Sequence, residues 1–166
     1  MVLDKSLKKE PYIDLVPNRS QRADLTRVRI SASRLGIETL RYTKIPEDKR
    51  YCRYCTPSGA DNTLEGYVDN EQHFLVSCSS FSLKRNCLFG RMESIIPGFM
   101  SLTPAQQTAT LLCPTSVVTA KLANKYIQIL FKVRKLLDEG VPALNTGYER
   151  GAIVCNEFYD DSDNDD

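Results

Sequence analysis

Apolar residues recur at the spacing of an α-helix in several stretches of the chain. In "SQRADLTRVRISASRL" the apolar positions run from Leu25 to Leu35, three or four residues apart. This pattern predicts a helix with Ser20 as its N-cap, and Gly36 is expected to end or bend it. The following stretch, "IETLRYTKIPEDKR", has no pattern that separates helix from strand.

Three further helices are expected later in the chain. "DNEQHFLVSC" is typical of a short helix capped by Asp69 or Asn70, and "SFSLKRNCLFGRMESII" of a helix stopped by Pro97 and Gly98. The clearest pattern is "TSVVTAKLANKYIQILFKVRKLLDEG", which ends at Gly140. The predicted fold class is therefore mainly α, a small helical domain.

The length of 166 residues, with 42% hydrophobic and 26% charged residues, suits one domain with its own core. We divide the chain into a polar N-terminal segment (1–18), the domain itself (19–140) and an acidic tail (141–166). The tail carries seven acidic residues after Tyr148. We expect it to be disordered, because a self-repelling segment with few aromatic residues buries too little surface to fold.

Neither a membrane span nor a secretion signal is expected. No stretch reaches the roughly 18 consecutive apolar residues of a membrane helix, and "MVLDKSLKKEPYIDLV" has no apolar core of a signal peptide. We therefore expect an intracellular protein, nuclear or cytoplasmic. Thiols stay reduced there, so the six cysteines need an explanation other than disulfides.

Charge is distributed unevenly along the chain. Residues 1–55 contain 13 Lys and Arg against seven Asp and Glu, although the whole chain carries a net charge of only +1. A basic first third indicates a polyanionic partner. A helical surface covered with ion pairs explains the same charges equally well.

Four side chains suited to zinc follow the basic segment, at the spacing C-x2-C-x17-H-x4-C. They are Cys52, Cys55, His73 and Cys78. A structural Zn²⁺ site takes four N or S ligands in a tetrahedron, which three thiolates and one imidazole complete. We predict one Zn²⁺ per chain, in a module of about residues 50–80 with a zinc-pinned β-hairpin or knuckle. Because five α-helical residues turn through about 500°, the helix must end or loosen between His73 and Cys78.

Other uses of these residues require features that the sequence lacks. A thioredoxin-like redox pair needs a βαβ setting. Nucleophilic catalysis by Cys and His needs an orienting group and an oxyanion site. A lone histidine in a helix is most often not a ligand, but the position of His73 between two cysteine groups favours one. No enzymatic activity is expected.

The ligand pattern and its flanks resemble a known family. "EPYIDLVPNRSQRADLTRVRISASRLGIETLRYTKIPEDKRYCRYC" and "DNEQHFLVSCSSFSLKRNCLF" are similar to the C-terminal zinc-binding (CCHC) segment of non-LTR retrotransposon reverse transcriptase polyproteins. The resemblance covers roughly residues 10–135. The matching residues are Arg27, Arg29, Ile30, Ser31, Leu35, Ile37, Glu38, Arg41, Tyr42, Cys52, Cys55, His73, Cys78, Arg85, Asn86, Leu88 and Phe89.

The resemblance implies a nucleic-acid-binding accessory domain that holds RNA or DNA near a polymerase and has no polymerase activity of its own. The family usually has His at the position of Ser33 and Gly at that of Leu40, and the loop between Cys55 and His73 is longer than usual. These departures leave the four zinc ligands unchanged.

We therefore predict binding of RNA or DNA through backbone phosphates, without sequence specificity. Arginine pairs bidentately with phosphate, and the candidate contacts are Arg22, Arg29, Arg34, Arg41, Lys44, Arg50 and Arg53. Tyr51 and Tyr54 interleave with them and either stack on bases or pack beside the zinc. The alternative function is a zinc-stabilised protein-interaction module, a domesticated or inactive retroelement remnant with a protein partner.

Overall fold

The computed structural model describes residues 12–16, 19–30, 32–55 and 67–140. Helices dominate this part of the chain, which confirms the predicted mainly α class. They are α1 (Tyr12–Leu15), α2 (Arg19–Arg29), α3 (Gly36–Thr39), α4 (Ser82–Ile95), α5 (Pro104–Leu112) and α6 (Val117–Asp138). None of the described helices is long and apolar enough to cross a membrane. The expected acidic tail and residues 56–66 lie outside the described residues.

Helix α6 is the centre of the fold. It contacts α1, α2, α4 and α5, and its apolar face belongs to one continuous core. The helix begins where the sequence predicts, because Ser116 and Thr119 form a capping box. It ends at Asp138, before Gly140, whose φ of 80° favours glycine.

Helices α4 and α5 both pack against α6. Helix α4 ends before Pro97 and Gly98, as predicted, and Gly98 has a φ of 87°. The sequence prediction missed α5. That helix begins with a capping box between Thr103 and Gln106, a signal that is visible in the sequence.

Helix α2 is shorter than predicted. It begins at Arg19, one residue before the expected cap at Ser20, and ends at Arg29. After the helix, the Ala32 N–H donates to the Arg27 carbonyl at 2.8 Å, five residues earlier, so the α-helical hydrogen-bond pattern is lost here. Leu35 is fully buried but lies outside the helix, in extended conformation.

Gly36 begins a helix, α3, instead of ending one. A Cβ atom at this position would lie 3.0 Å from the Cβ of Asp69. The backbone N–H of Gly36 donates a hydrogen bond of 2.6 Å to Asp69 Oδ2. Glycine is therefore favoured here by the close approach of two segments rather than by a helix end.

The only β pairing among the described residues is one antiparallel bridge between Tyr51 and Val68. Cys52 N–H donates to the Tyr67 carbonyl at 2.8 Å, and Asp69 N–H to the Arg50 carbonyl at 2.9 Å. The bridge joins the two segments that carry the candidate zinc ligands. It is not a strand pair, so the predicted hairpin is not confirmed.

Candidate metal centre

The four predicted ligands converge on one point. One ligand atom each from Cys52, Cys55, His73 and Cys78 lies within 4.8 Å of every other. The Sγ atoms of Cys52 and Cys78 are 3.9 Å apart, and Cys55 Sγ is 3.2 Å from His73 Nε2. Cys52, His73 and Cys78 are buried, whereas Cys55 is half-buried.

These distances fit a tetrahedral zinc ion. Zn–S bonds of about 2.3 Å and Zn–N bonds of about 2.0–2.1 Å imply S···S separations of about 3.8 Å and S···N separations of about 3.5 Å. The Cys52–Cys78 and Cys55–His73 pairs lie within about 0.3 Å of those values, and every other pair lies within 4.8 Å. Three sulfurs and one imidazole nitrogen are also the donor set that Zn²⁺ prefers. The residues present can therefore hold a metal ion, and zinc is the plausible one.

Two similar backbone turns hold Cys52 and Cys78. The backbone of Tyr54 donates a hydrogen bond to the Cys52 sulfur, and that of Ser80 donates one to Cys78. In both cases the donor lies two residues after the cysteine. The hydroxyl of Ser80 also donates to the Tyr54 carbonyl at 2.8 Å, which ties the two turns together.

A π-helical turn, His73–Ser77, carries the second pair of ligands. The backbone N–H of Cys78 donates to the His73 carbonyl at 2.7 Å, five residues earlier. An α-helix would place these two residues on different faces, whereas the wider turn brings them to the same side. The predicted loosening between His73 and Cys78 is thus present, as a π-helical turn.

One contact fixes the backbone of His73 and another fixes its ring. Asn70 caps the turn, since its Oδ1 accepts a hydrogen bond of 2.8 Å from the His73 backbone N–H. The ring of Tyr67 stacks on the imidazole with centroids 5.4 Å apart and an interplanar angle of 12°. Nδ1 is buried and has no hydrogen-bond partner among the described residues. Stacking therefore orients the ring where a hydrogen bond usually does so in metal sites.

The three thiols of the cluster shift one another's pKa values. The hydrogen bond with Cys78 lowers the pKa of Cys52 to about 4. Burial, followed by the charge of Cys52, raises the pKa of Cys55 to about 11. The same hydrogen bond with Cys52, followed by burial, raises the pKa of Cys78. A divalent ion between the sulfurs would favour all three thiolates, because opposite charge stabilises the ionised form.

A buried ion pair lies next to the cluster, and the sequence reasoning missed it. Arg134 in α6 forms a bidentate pair with Asp69, at 2.7 and 3.1 Å, and both side chains are less than 10% exposed. Burial lowers the pKa of Arg134, but its hydrogen bond and charge interaction with Asp69 outweigh burial and raise it. Its guanidinium also lies 4.6 Å from the centroid of the Tyr54 ring and 5.3 Å from that of Phe74. Arg134 therefore holds both ligand-bearing segments against α6.

Tyr54 and Arg53 contact the end of α6. The Tyr54 hydroxyl donates to Asp138 Oδ1 at 2.6 Å, and Arg53 Nη2 lies 2.5 Å from the same oxygen. Burial and the bond to Asp138 raise the pKa of Tyr54. Of the two uses predicted for Tyr54, the structure has the ring packed beside the metal centre. Tyr51 is half-buried within the bridge to Val68.

Two of the predicted phosphate contacts, Arg22 and Arg50, are half-buried and donate to backbone carbonyls. Arg22 donates to the carbonyls of Ile13 and Val16, at 3.0 and 2.7 Å, and so fixes α1 against α2. Val16 is 1% exposed, although it lies in the segment interpreted as polar and separate from the domain. Arg50 donates to the Ile37 carbonyl at 2.7 Å. Both arginines therefore support local structure.

The other predicted cations are more accessible, except for half-buried Arg29. Arg34, Arg41, Lys44 and Arg53 are exposed. Tyr42, between Arg41 and Lys44, is 93% exposed. Its side chain is an aromatic platform within a basic segment, which the sequence reasoning did not propose as a base-stacking residue.

The remaining described cysteines do not join the cluster. Cys113 is free and exposed. Cys87 is buried in α4 and belongs to the helical core.

No protein-family model matches this chain, and neither do the curated proteins or the solved structures compared with it.

Proposed function

We propose that Cys52, Cys55, His73 and Cys78 bind one structural Zn²⁺, and that the surrounding domain binds RNA or DNA as an accessory module. The convergence of these four ligand atoms within 4.8 Å carries the proposal. Four protein ligands leave no open coordination position for substrate or water, so the ion has a structural role. The domain itself is not an enzyme in this proposal.

In this proposal the metal fixes a short hairpin. The bridge between Tyr51 and Val68 lies next to Cys52, and a bound ion would tie its two segments to the π-helical turn. The basic segment 41–53 enters the hairpin directly, so the metal positions its cations. The zinc ion itself makes no contact with nucleic acid.

Nucleic acid contacts the exposed face that precedes the cysteine turn. Arg34, Arg41 and Lys44 present their charges there, and Tyr42 supplies a ring on which a base can stack. Phosphate contacts of this kind position a strand without reading its sequence. The resemblance to the zinc-binding segment of non-LTR retrotransposon polyproteins supports the same function.

A salt titration of binding tests this function. Affinity for a single-stranded RNA and for a duplex DNA is measured by fluorescence anisotropy at increasing salt. Each phosphate contact to a single strand contributes about 0.7 to the slope of log affinity against log salt, so about four contacts give a slope near 3. Replacing Arg41 and Lys44 with Ala should lower the slope by about one to two.

The control removes the same charge elsewhere. Lys125→Ala with Lys132→Ala changes α6 outside this face and should leave the slope unchanged. Zinc content should be equal in all three proteins. The absence of measurable binding at low salt, or binding that high salt does not weaken, would contradict the proposed function.

The alternative function is a zinc-stabilised protein-interaction module. Its specific support is apolar surface away from the basic face, since Met100, Val117 and Val118 are 60%, 46% and 50% exposed. Val118 belongs to the apolar pattern of α6, yet it is not part of the core. The salt titration separates the two functions, because the interaction module predicts no binding to either nucleic acid.

A further inference from the structure

A cleft of about 750 Å³ lies beside the metal centre. Its walls come from α2, from residues 32–36, from the cysteine turn and from the C-terminal half of α6. None of the four candidate zinc ligands lines it. The volume falls within the range of about 300–1,000 Å³ that small-molecule sites occupy.

Cations outnumber carboxylates in this cleft. Its lining includes five cations, Arg27, Arg34, Arg53, Arg134 and Lys135, and three carboxylates, Asp24, Asp69 and Asp138. Each of the three carboxylates already pairs with an arginine, at 2.5 to 2.8 Å. Arg34 has no ion pair among the described residues, and Lys135 has only a contact of 3.8 Å with Glu139. Two positive charges therefore remain for an anion.

Ser33 supplies an independent observation. Its side chain lines the cleft, the residue is 7% exposed, and Oγ has no hydrogen-bond partner among the described residues. A buried hydroxyl without a partner destabilises the fold, because it has given up its hydrogen bonds to water. Such a group in a native fold requires an explanation, and a ligand that accepts its hydrogen bond is one.

We propose that this cleft binds a phosphate group carried by a nucleotide unit. The Ser33 hydroxyl donates a hydrogen bond to a phosphate oxygen, Arg34 pairs with the phosphate, and Lys135 adds a flanking charge. Arginine and hydroxyl donors are the usual partners of phosphate oxygens. The inference rests on the proposed function, since it assigns one nucleotide of the bound strand to a defined site.

The same cleft also offers surface for the nucleoside. Leu40, Tyr51 and Phe131 line the cleft and offer apolar and aromatic surface. Base stacking on such surface tolerates any base. The cleft therefore binds a phosphate with its nucleoside and does not select a sequence.

The test compares four ligands at one low salt concentration. Binding of inorganic phosphate, 5′-AMP, adenosine and a single-stranded RNA decamer without terminal phosphates is measured by NMR titration of the full chain. We expect 5′-AMP to bind at least tenfold more tightly than adenosine. Ser33→Ala and Arg34→Gln should each weaken 5′-AMP and the decamer about tenfold, because each removes a hydrogen bond to a charged group.

Matched controls are Ser101→Ala and Arg19→Gln, at exposed positions that do not line the cleft. The Ser33 hydroxyl has no hydrogen-bond partner among the described residues, so Ser33→Ala should leave the fold intact. Lost binding in that variant therefore cannot be attributed to unfolding. Equal binding of 5′-AMP and adenosine, or equal effects of cleft and control variants, would overturn the inference. If the decamer then still binds with the expected salt slope, the proposed function stands without the cleft.

The converse result separates the two proposals as well. If the cleft variants weaken 5′-AMP while the decamer does not bind, the phosphate site is supported as a site for free nucleotides. The proposed function then fails.

Discussion

Each candidate zinc ligand reaches the cluster with its own local support. The sulfurs of Cys52 and Cys78 accept backbone hydrogen bonds, and the ring of His73 stacks on Tyr67. Cys55 has the least support, since it is half-buried and burial raises its pKa. A metal ion is therefore the interaction that would hold it in place.

Removing that thiolate should release the metal and the module around it. Structural zinc contributes on the order of 10–16 kcal/mol in small zinc-finger peptides. In Cys55→Ser, hydrogen exchange should accelerate in residues 50–55 and 67–80 before it does in α4 and α6. Cys113→Ser, at a free and exposed cysteine outside the cluster, is the control and should exchange as wild type does. Unchanged protection in Cys55→Ser would count against a structural metal.

The pair of Asp69 and Arg134 should contribute measurably to stability. Removing one partner of a buried ion pair leaves an uncompensated charge and costs about 3–5 kcal/mol. We expect Arg134→Met to lower the free energy of unfolding by about that amount in urea denaturation. Adding Asp69→Asn should restore part of the loss, because the buried charge is then gone.

The neighbouring residue serves as the control for this pair. Lys135 has a side chain that is 78% exposed, so Lys135→Met should change the free energy of unfolding by less than about 1 kcal/mol. If Arg134→Met also lowered the free energy of unfolding by less than about 1 kcal/mol, the buried ion pair would make no net contribution to stability.

Among the elements, α6 depends on the cap at its first turn. The Ser116 side chain accepts a hydrogen bond from the Thr119 N–H, and their hydroxyls lie 2.9 Å apart. Ser116→Ala should lower the free energy of unfolding by about 1 kcal/mol, measured by urea denaturation. Thr115→Ala, one residue before the cap and exposed, should have little effect. Equal losses in the two variants would show that the cap is not what stabilises this end.

The helices that the sequence predicts well have both apolar periodicity and residues that mark where the helix begins or ends. Helix α6 has apolar periodicity, a capping box at Ser116 and a glycine at its end, and it was predicted to within two residues. Helix α2 has apolar periodicity only, and the prediction placed its C-terminal end at Leu35 instead of at Arg29. Its actual end depends on the packing of Leu35, which enters the core from an extended segment, and periodicity does not contain that information.

The candidate ligands could be predicted because their residue types and spacing restrict the chemistry. The role of Arg134 had a signal that was missed, since it lies four residues after Leu130 and seven after Ile127 on the buried face of α6. The sequence contains no signal for the close approach of Gly36 to Asp69. Contacts of that kind depend on tertiary packing between segments 33 residues apart.

In the whole molecule, the metal centre and the helical core form one unit. Phe74, Leu75 and Phe81 lie next to the ligands in sequence and belong to the same core as α4 and α6. Tyr126 of α6 donates a hydrogen bond of 2.7 Å to the carbonyl of Leu75. A metal ion in this position would therefore join the basic segment to the core.

The central claim is that the chain binds one zinc ion through these four residues. Native mass spectrometry of protein purified without added chelator measures this directly, since it reports the mass of the folded chain with its bound metal. We predict one Zn²⁺ per chain in wild type and in Cys113→Ser, and none in Cys55→Ser. A folded wild-type chain that carries no metal, even after incubation with zinc, would contradict the account.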